Sequence, residues 1–195
     1  MNLTKLKKKN QPMKYLLSLI CFCSVTCFGQ SLSFETQISD AVSAIDEADR
    51  AEASVYGYDA NGTFTMIKTG SNSLICLTDD PNKDGFSVAC YHENLEPFMA
   101  RGRALRADGK SRAEVEIIRN TEAKEGSLKM PEKASTLYVM SGDDKASANL
   151  RWVVYIPWAT TASTGLPAKP MVAGGPWIMF PGTYRAHIMI TPPRD

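Results

Sequence analysis

The spacing of apolar residues changes period several times along this chain, and each change predicts an element. From Ser33 to Ala53 the apolar residues Ile38, Ala41, Val42, Ile45 and Ala48 recur at helical spacing, with an acidic side opposite. The stretch "ASVYGYDANGTFTMIKTG" then places two β-rich runs around Asn61-Gly62, which predicts a hairpin closed by a type I′ turn. "NSLICLT" follows as a strand. Helical spacing returns in "NLEPFMARGRALRADGK", where Asn94 is placed to cap, Pro97 falls in the first turn and Gly109 stops the helix. Ser111 to Glu114 ("SRAE") has the pattern of a capping box and opens a second helix that runs to about Ala123.

The last third is strand-like. "STLYVMSG" and "LRWVVYIPW" are short β-rich runs, and the second is apolar on both faces, as a doubly covered central strand would be. Ala159 to Gly175 has no periodicity and many breakers, which predicts a long surface loop. In "GGPWIMFPG" and "TYRAHIMI" a strand and turn meet a partner strand. Alternation puts Ala186, Ile188 and Ile190 on one face and Arg185, His187 and Met189 on the other. The sum is an α+β domain with an antiparallel-rich sheet, an N-terminal helix and a central helix pair.

The N-terminus changes the picture of where this domain works. "KLKKKNQPMK" is a basic leader, and the uncharged run Tyr15 to Phe28 is too short for the ~20 residues that span a bilayer as a helix. With the small-x-small "CFG" after it, this is the layout of a secretory signal peptide over residues 1–30, cleaved after Gly29 or Gln30. Met13 is an alternative start. Lipid anchoring through Cys27 is disfavoured, because Ser24, Val25 and Thr26 depart from the expected Leu-small-small box. The remainder, residues 31–195, is expected to be one secreted or periplasmic domain with no transmembrane segment. Export removes five lysines, leaving 17 basic against 21 acidic residues and a net charge of −4. That balance, without a basic block, argues against nucleic acid as a partner.

Three of the five cysteines leave with the signal, and Cys76 and Cys90 remain as an even pair. They are expected to form a disulfide around "CLTDDPNKDGFSVAC". Three stretches then resemble a family of uncharacterised exported bacterial proteins: "TGSNSLICL" with "VACYHENLEPFMARGR", "RWVVYIPWAT" with "TGLP", and "GGPWIMFPGTYRAHIMI". That family tends to have Gly-Thr-Asn where this chain has Gly70-Ser71-Asn72. The resemblance implies export, the Cys76–Cys90 pairing and a single domain, and it carries no activity.

Candidate chemistry is sparse. His187 stands on the less apolar face of its strand, and His92 lies beside Glu93, so the two histidines with Glu93 are candidates for a hydrolase or metal-dependent enzyme. Against that reading, neither histidine belongs to an HxH, HxxxH or HExxH pattern, and no G-x-S-x-G elbow is present. A Cys2His2 zinc site would need reduced thiols, which export disfavours. Asp80, Asn82 and Asp84 alternate before Gly85 in the manner of a calcium loop, although the distal Glu of that motif is missing. Arg185, Trp158 and Trp177 are candidates for binding, around a pocket floored by the terminal strands. No cofactor is expected. The basic run from Arg101 to Arg119 is expected to be a solvated face that balances the acidic first helix. The leading expectation is a non-enzymatic binding or envelope-associated domain with a small-molecule or peptide ligand.

Overall fold

A computed structural model describes residues 32–193. The expected signal peptide and Cys27 lie outside the described residues. Eight strands form one sheet in the order β2-β1-β3-β4-β5-β6-β8-β7. The strands are β1 (Ser54–Tyr58), β2 (Phe64–Lys68), β3 (Leu74–Leu77), β4 (Phe86–His92), β5 (Ser135–Gly142), β6 (Asn149–Tyr155), β7 (Trp177–Met179) and β8 (His187–Ile190). Every neighbouring pair is antiparallel except β1 and β3. With its helices this is the expected α+β domain, and among the described residues no helix is long and apolar enough to cross a membrane.

Helices cover both faces. On one side α1 (Phe34–Ala41) and the 3-10 turn Val42–Ala44 lay Ala41, Val42, Ala44 and Ile45 onto Val55, Cys76, Val88 and Cys90. On the other, the 3-10 turn Glu93–Leu95, α3 (Glu96–Ala107) and the segment after α4 (Arg112–Glu125) bring Leu95, Phe98 and Leu128 onto Tyr91, Leu137 and Val153. Alternate residues of each strand serve opposite cores, as a pleated strand requires. The second helical layer is inserted between β4 and β5, which are themselves adjacent.

The N-terminal helix is shorter than its apolar stripe predicts. Ile45 is extended, with φ −117° and ψ 165°, and sits 6% exposed in the core. Asp46 then caps a separate turn, α2 (Glu47–Arg50), by accepting from Ala48 N. Breaking the helix drops Ile45 into the sheet, a packing gain that local periodicity cannot register.

The hairpin after it lies where Asn61-Gly62 predicted, but its turn is different. Only Gly62 has positive φ (76°), so the loop is not type I′. Gly62 N donates to Asp59 O, and the Asp59 side chain accepts from both Asn61 N and Thr63 N. Asp59 therefore holds a longer loop that ends in one left-handed glycine.

From β2 the chain crosses the start of β1 to reach β3, using only residues 69–73. The motif Gly70-Ser71-Asn72 makes that crossing. Ser71 N and Asn72 N both donate to Glu52 O, and Asn72 Oδ1 accepts from Leu74 N. A Cβ on Gly70 would lie 2.1 Å from Glu52 O, so the two backbones touch.

The predicted caps of the central pair are present. Pro97 lies in the first turn of α3, and Gly109 ends it at φ 77°. Ser111 and Glu114 form both bonds of the capping box of α4. Asn94 is not a cap but the recipient of one: His92 Nδ1 accepts from Asn94 N in a 3-10 turn, Glu93–Leu95. β6 differs from the expectation as well, since Trp152 is 44% exposed and only Val153 is buried. The stretch Ala159 to Gly175 is not featureless: Thr160 caps a short helix, α5 (Thr161–Thr164), and Ala159 and Leu166 pack on Ile178 and Ala186.

Candidate functional site

The sheet face under α3 is not fully covered. Where α3 ends, a cleft of about 770 Å³ opens over the ends of β1 to β4. Leu77, Ser87 and Ala89 form its floor, Tyr58 and Phe64 one wall, and Arg103, Arg106 and Ala107 of α3 the other. The loop from Thr78 to Gly85 contributes an acidic rim of Asp79, Asp80 and Asp84, with Lys83 beside them.

Strand alternation explains the aromatic wall. Val55 and Gly57 point at α1, where Gly57 leaves room for Gln37, so Tyr56 and Tyr58 point to the α3 side. Phe64, across the hairpin, stacks on Tyr56 with centroids 5.7 Å apart and meets Tyr58 edge-on at 5.0 Å. Burial and then the nearby Asp80 carboxylate push the Tyr58 phenol up to about 12, so it stays neutral.

The helical wall is cationic, and its arginines differ in how they are satisfied. Arg103 is locked: it bonds Glu96 at 2.6 Å and Tyr91 Oη at 2.8 Å, and lies over the Tyr56 ring. The Tyr91 hydroxyl also donates to Glu96 at 2.5 Å, and burial raises its pKa first, Glu96 second. Arg101 is bidentate to Glu122. The Arg106 side chain has no ion pair or hydrogen bond among the described residues. Burial, then Arg119 and Arg103, lower its pKa, yet a guanidinium remains protonated at any ordinary pH. Its guanidinium is exposed at the cleft wall and its donors are free to meet an anion there.

The expected balancing of this basic run by the first helix does not occur. α1 packs on the opposite face of the sheet, where its Asp40 pairs with Lys145 at 2.6 Å. The basic helices are neutralised by Glu96, Glu116 and Glu122 of their own layer, and incompletely.

The other candidates are dispersed. His92 shares the α1 face with Cys90, whereas His187 shares the α3/α4 face with Met189 and Tyr155. Two strands intervene, so three strand spacings, about 14 Å, separate them on opposite sides of a sheet. They share no metal or catalytic centre. His187 is 7% exposed, with Nδ1 2.7 Å from Arg185 O and its ring against Tyr155 and Phe180. Burial lowers its pKa, and the Arg185 charge adds to that against the hydrogen bond to Arg185 O. Glu93 is exposed, and its N–H donates to Ser73 O.

Arg185 pairs with Glu116 at 2.6 Å and stacks on Phe180 at 3.7 Å, which ties the segment leading into β8 to α4. Trp158 is 43% exposed at φ 67°, and Trp177 lies part-buried in β7 opposite Met189. Neither Trp lines the cleft.

Cys76 and Cys90 stand directly opposite each other on β3 and β4 and form the expected disulfide. It fixes the two strands that carry the cleft floor and the acidic loop. In that loop Asp80 accepts from Asn82 N and pairs with Lys83, and Asp79 accepts from Ser87 N. Burial works against ionised Asp80, but Lys83 and the Asn82 N–H outweigh it and hold its pKa low. Asp80 and Asn82 thus hold a turn, and among the described residues no three His, Cys, Asp or Glu side chains are grouped to hold a metal. Of the candidate calcium-loop residues, Asp80 and Asp84 line the cleft rim.

No protein-family model matches this chain, and neither the curated proteins nor the solved structures contain a significant match. The resemblance to exported bacterial proteins therefore rests on its motifs alone.

Proposed function

We propose that this chain is an exported, non-catalytic binding domain. Its ligand is a small amphipathic anion, held in the cleft between α3 and the ends of β1 to β4. The observation that carries this reading is Arg106: an exposed guanidinium whose side chain has no partner among the described residues, in the wall of a cleft faced by Tyr58 and Phe64. An apolar ring or chain laid against the aromatic wall buries itself, and an anionic group completes Arg106. The size is that of ordinary small-ligand sites. The signal-like N-terminus supports export, and a disulfide fits an oxidising compartment.

Calorimetric titration of hippurate, an aromatic acid of matching chemistry, into residues 31–195 tests it. Saturable binding is expected, weakened about tenfold or more by Arg106→Gln, since a hydrogen bond to a charged group contributes about 1.5–3 kcal/mol. Phe64→Leu should weaken binding too, through lost stacking. Binding that neither substitution alters, or none by the native domain, overturns the reading.

A further inference from the structure

Behind Arg106 a second, smaller pocket of about 240 Å³ lies between the end of α3 and the start of α4. It is lined by Arg106, Lys110, Arg112, Val115, Glu116 and Arg119, four cations against one carboxylate. That carboxylate is committed elsewhere as well, since Glu116 also pairs with Arg185 and accepts from Tyr184. Glu114, which lies 3.9 Å from Lys110, is engaged in the capping box.

Two guanidinium groups crowd one point in this wall. A Cβ on Gly102 would meet Arg119 Nη1 at 2.8 Å and Arg106 Nη1 at 3.5 Å. Arg119 is 8% exposed and lies over the Phe98 ring at 4.1 Å. Its Nε is buried with no hydrogen-bond partner, the sole such side-chain atom among the described residues. The fold thus gathers positive charge and leaves donors unmatched, and a buried unmatched donor is costly. Ion pairs within the layer do not account for it.

We infer that the pocket of Arg106, Lys110, Arg112 and Arg119 is a subsite for a tetrahedral dianion, the phosphate or sulfate group of the cleft's ligand. The assignment rests on the binding reading above, because Arg106 and Lys110 line both spaces. A dianion meets the local excess of cations better than a carboxylate does. Its oxygens also offer more acceptors than a carboxylate, and guanidinium donors match them bidentately. Lys110 and Arg112 flank the entrance from the interhelical turn, where they can close on a head group without entering the core.

The test is an NMR titration of the arginine Nε–Hε signals of residues 31–195 with inorganic phosphate, sulfate and acetate at constant ionic strength. The expected result is saturable shifts of Arg106 and Arg119 with phosphate and with sulfate, at least tenfold tighter than with acetate. The variant R112Q, on an exposed position that lines this pocket and not the cleft and that leaves Arg119 and Glu116 in place, should weaken phosphate severalfold and leave hippurate within twofold. Phosphate tighter than sulfate would assign the head group to phosphate esters, and the reverse to sulfate esters. Equal, unsaturable responses to all three anions would refute the subsite. With hippurate binding intact they would refute it alone, and with hippurate binding also absent the binding reading falls with it.

Discussion

Opening the Cys76–Cys90 bond should lower the stability of the domain by an amount the structure allows to be worked out. The two residues are 14 apart in sequence, and both are fully buried under Ala41 and Val42. In the chain-entropy model a closed loop of that length contributes about 3 kcal/mol through the unfolded state. In a domain of this size each kcal/mol moves the melting temperature by about 2–4 °C, so a loss of about 6–12 °C is expected. Replacing both residues by alanine also deletes buried sulfur, which makes 3 kcal/mol a lower figure rather than an upper one. Urea unfolding of the native protein and of C76A/C90A, followed by far-UV circular dichroism, measures the difference. Because the sulfurs lie beneath α1, reduction of the folded protein by millimolar dithiothreitol should be slow and should accelerate with urea. Two outcomes would refute the reasoning: unfolding free energies within 1 kcal/mol of each other, or reduction at a rate independent of urea.

Four other expectations follow from specific contacts. Gly70→Ala should cost several kcal/mol or prevent folding, because the added carbon meets Glu52 O at 2.1 Å; thermal melting checks it, and a native-like midpoint would contradict the crossing. Glu116→Gln should destabilise by about 2 kcal/mol, since Arg185 and the buried Arg119 lose their carboxylate together; chemical unfolding reads this directly. His187, whose pKa is lowered in the fold, favours the native state above its unfolded value near 6.5. That contribution is lost as pH falls through the folded pKa, so the unfolding midpoint should drop below pH 6.5 and His187→Gln should flatten the slope. Tyr58, held up to about 12, should remain un-ionised at pH 10.5, so Tyr58→Phe should leave the tyrosinate absorbance at that pH nearly unchanged.

Much of the fold was legible because its signals are local. The capping box Ser111–Glu114, the stop at Gly109 and the paired runs of β5 and β6 are each decided within a few residues. Where the sequence misled, a tertiary contact outweighed a local preference. Ile45 left its helix to enter the core, and Asp59 replaced a two-residue turn by accepting two backbone N–H groups. The candidate site was harder. Tyr58 and Phe64 lie 48 and 42 residues before Arg106, and only the sheet order brings them to one cleft. The basic run from Arg101 to Arg119 was the available signal. Its unpaired members, Arg106 and Arg112, could be told from its paired ones only once Glu96, Glu116 and Glu122 were placed. His187 drew attention as a rare residue in a terminal strand, and alternation assigned its face correctly. Alternation says nothing of what covers that face, which is Phe180 and the Arg185 side chain.

The central claim is that the cleft beside α3 is the place where a ligand binds. A nitrogen–proton correlation map of residues 31–195 titrated with hippurate tests it most directly. Saturable shifts centred on Tyr58, Phe64, Leu77 and Arg106, with Trp158 and His187 unmoved, are the predicted result. Shifts centred instead on Trp158, Trp177 and His187, or no saturable shift anywhere, would contradict it.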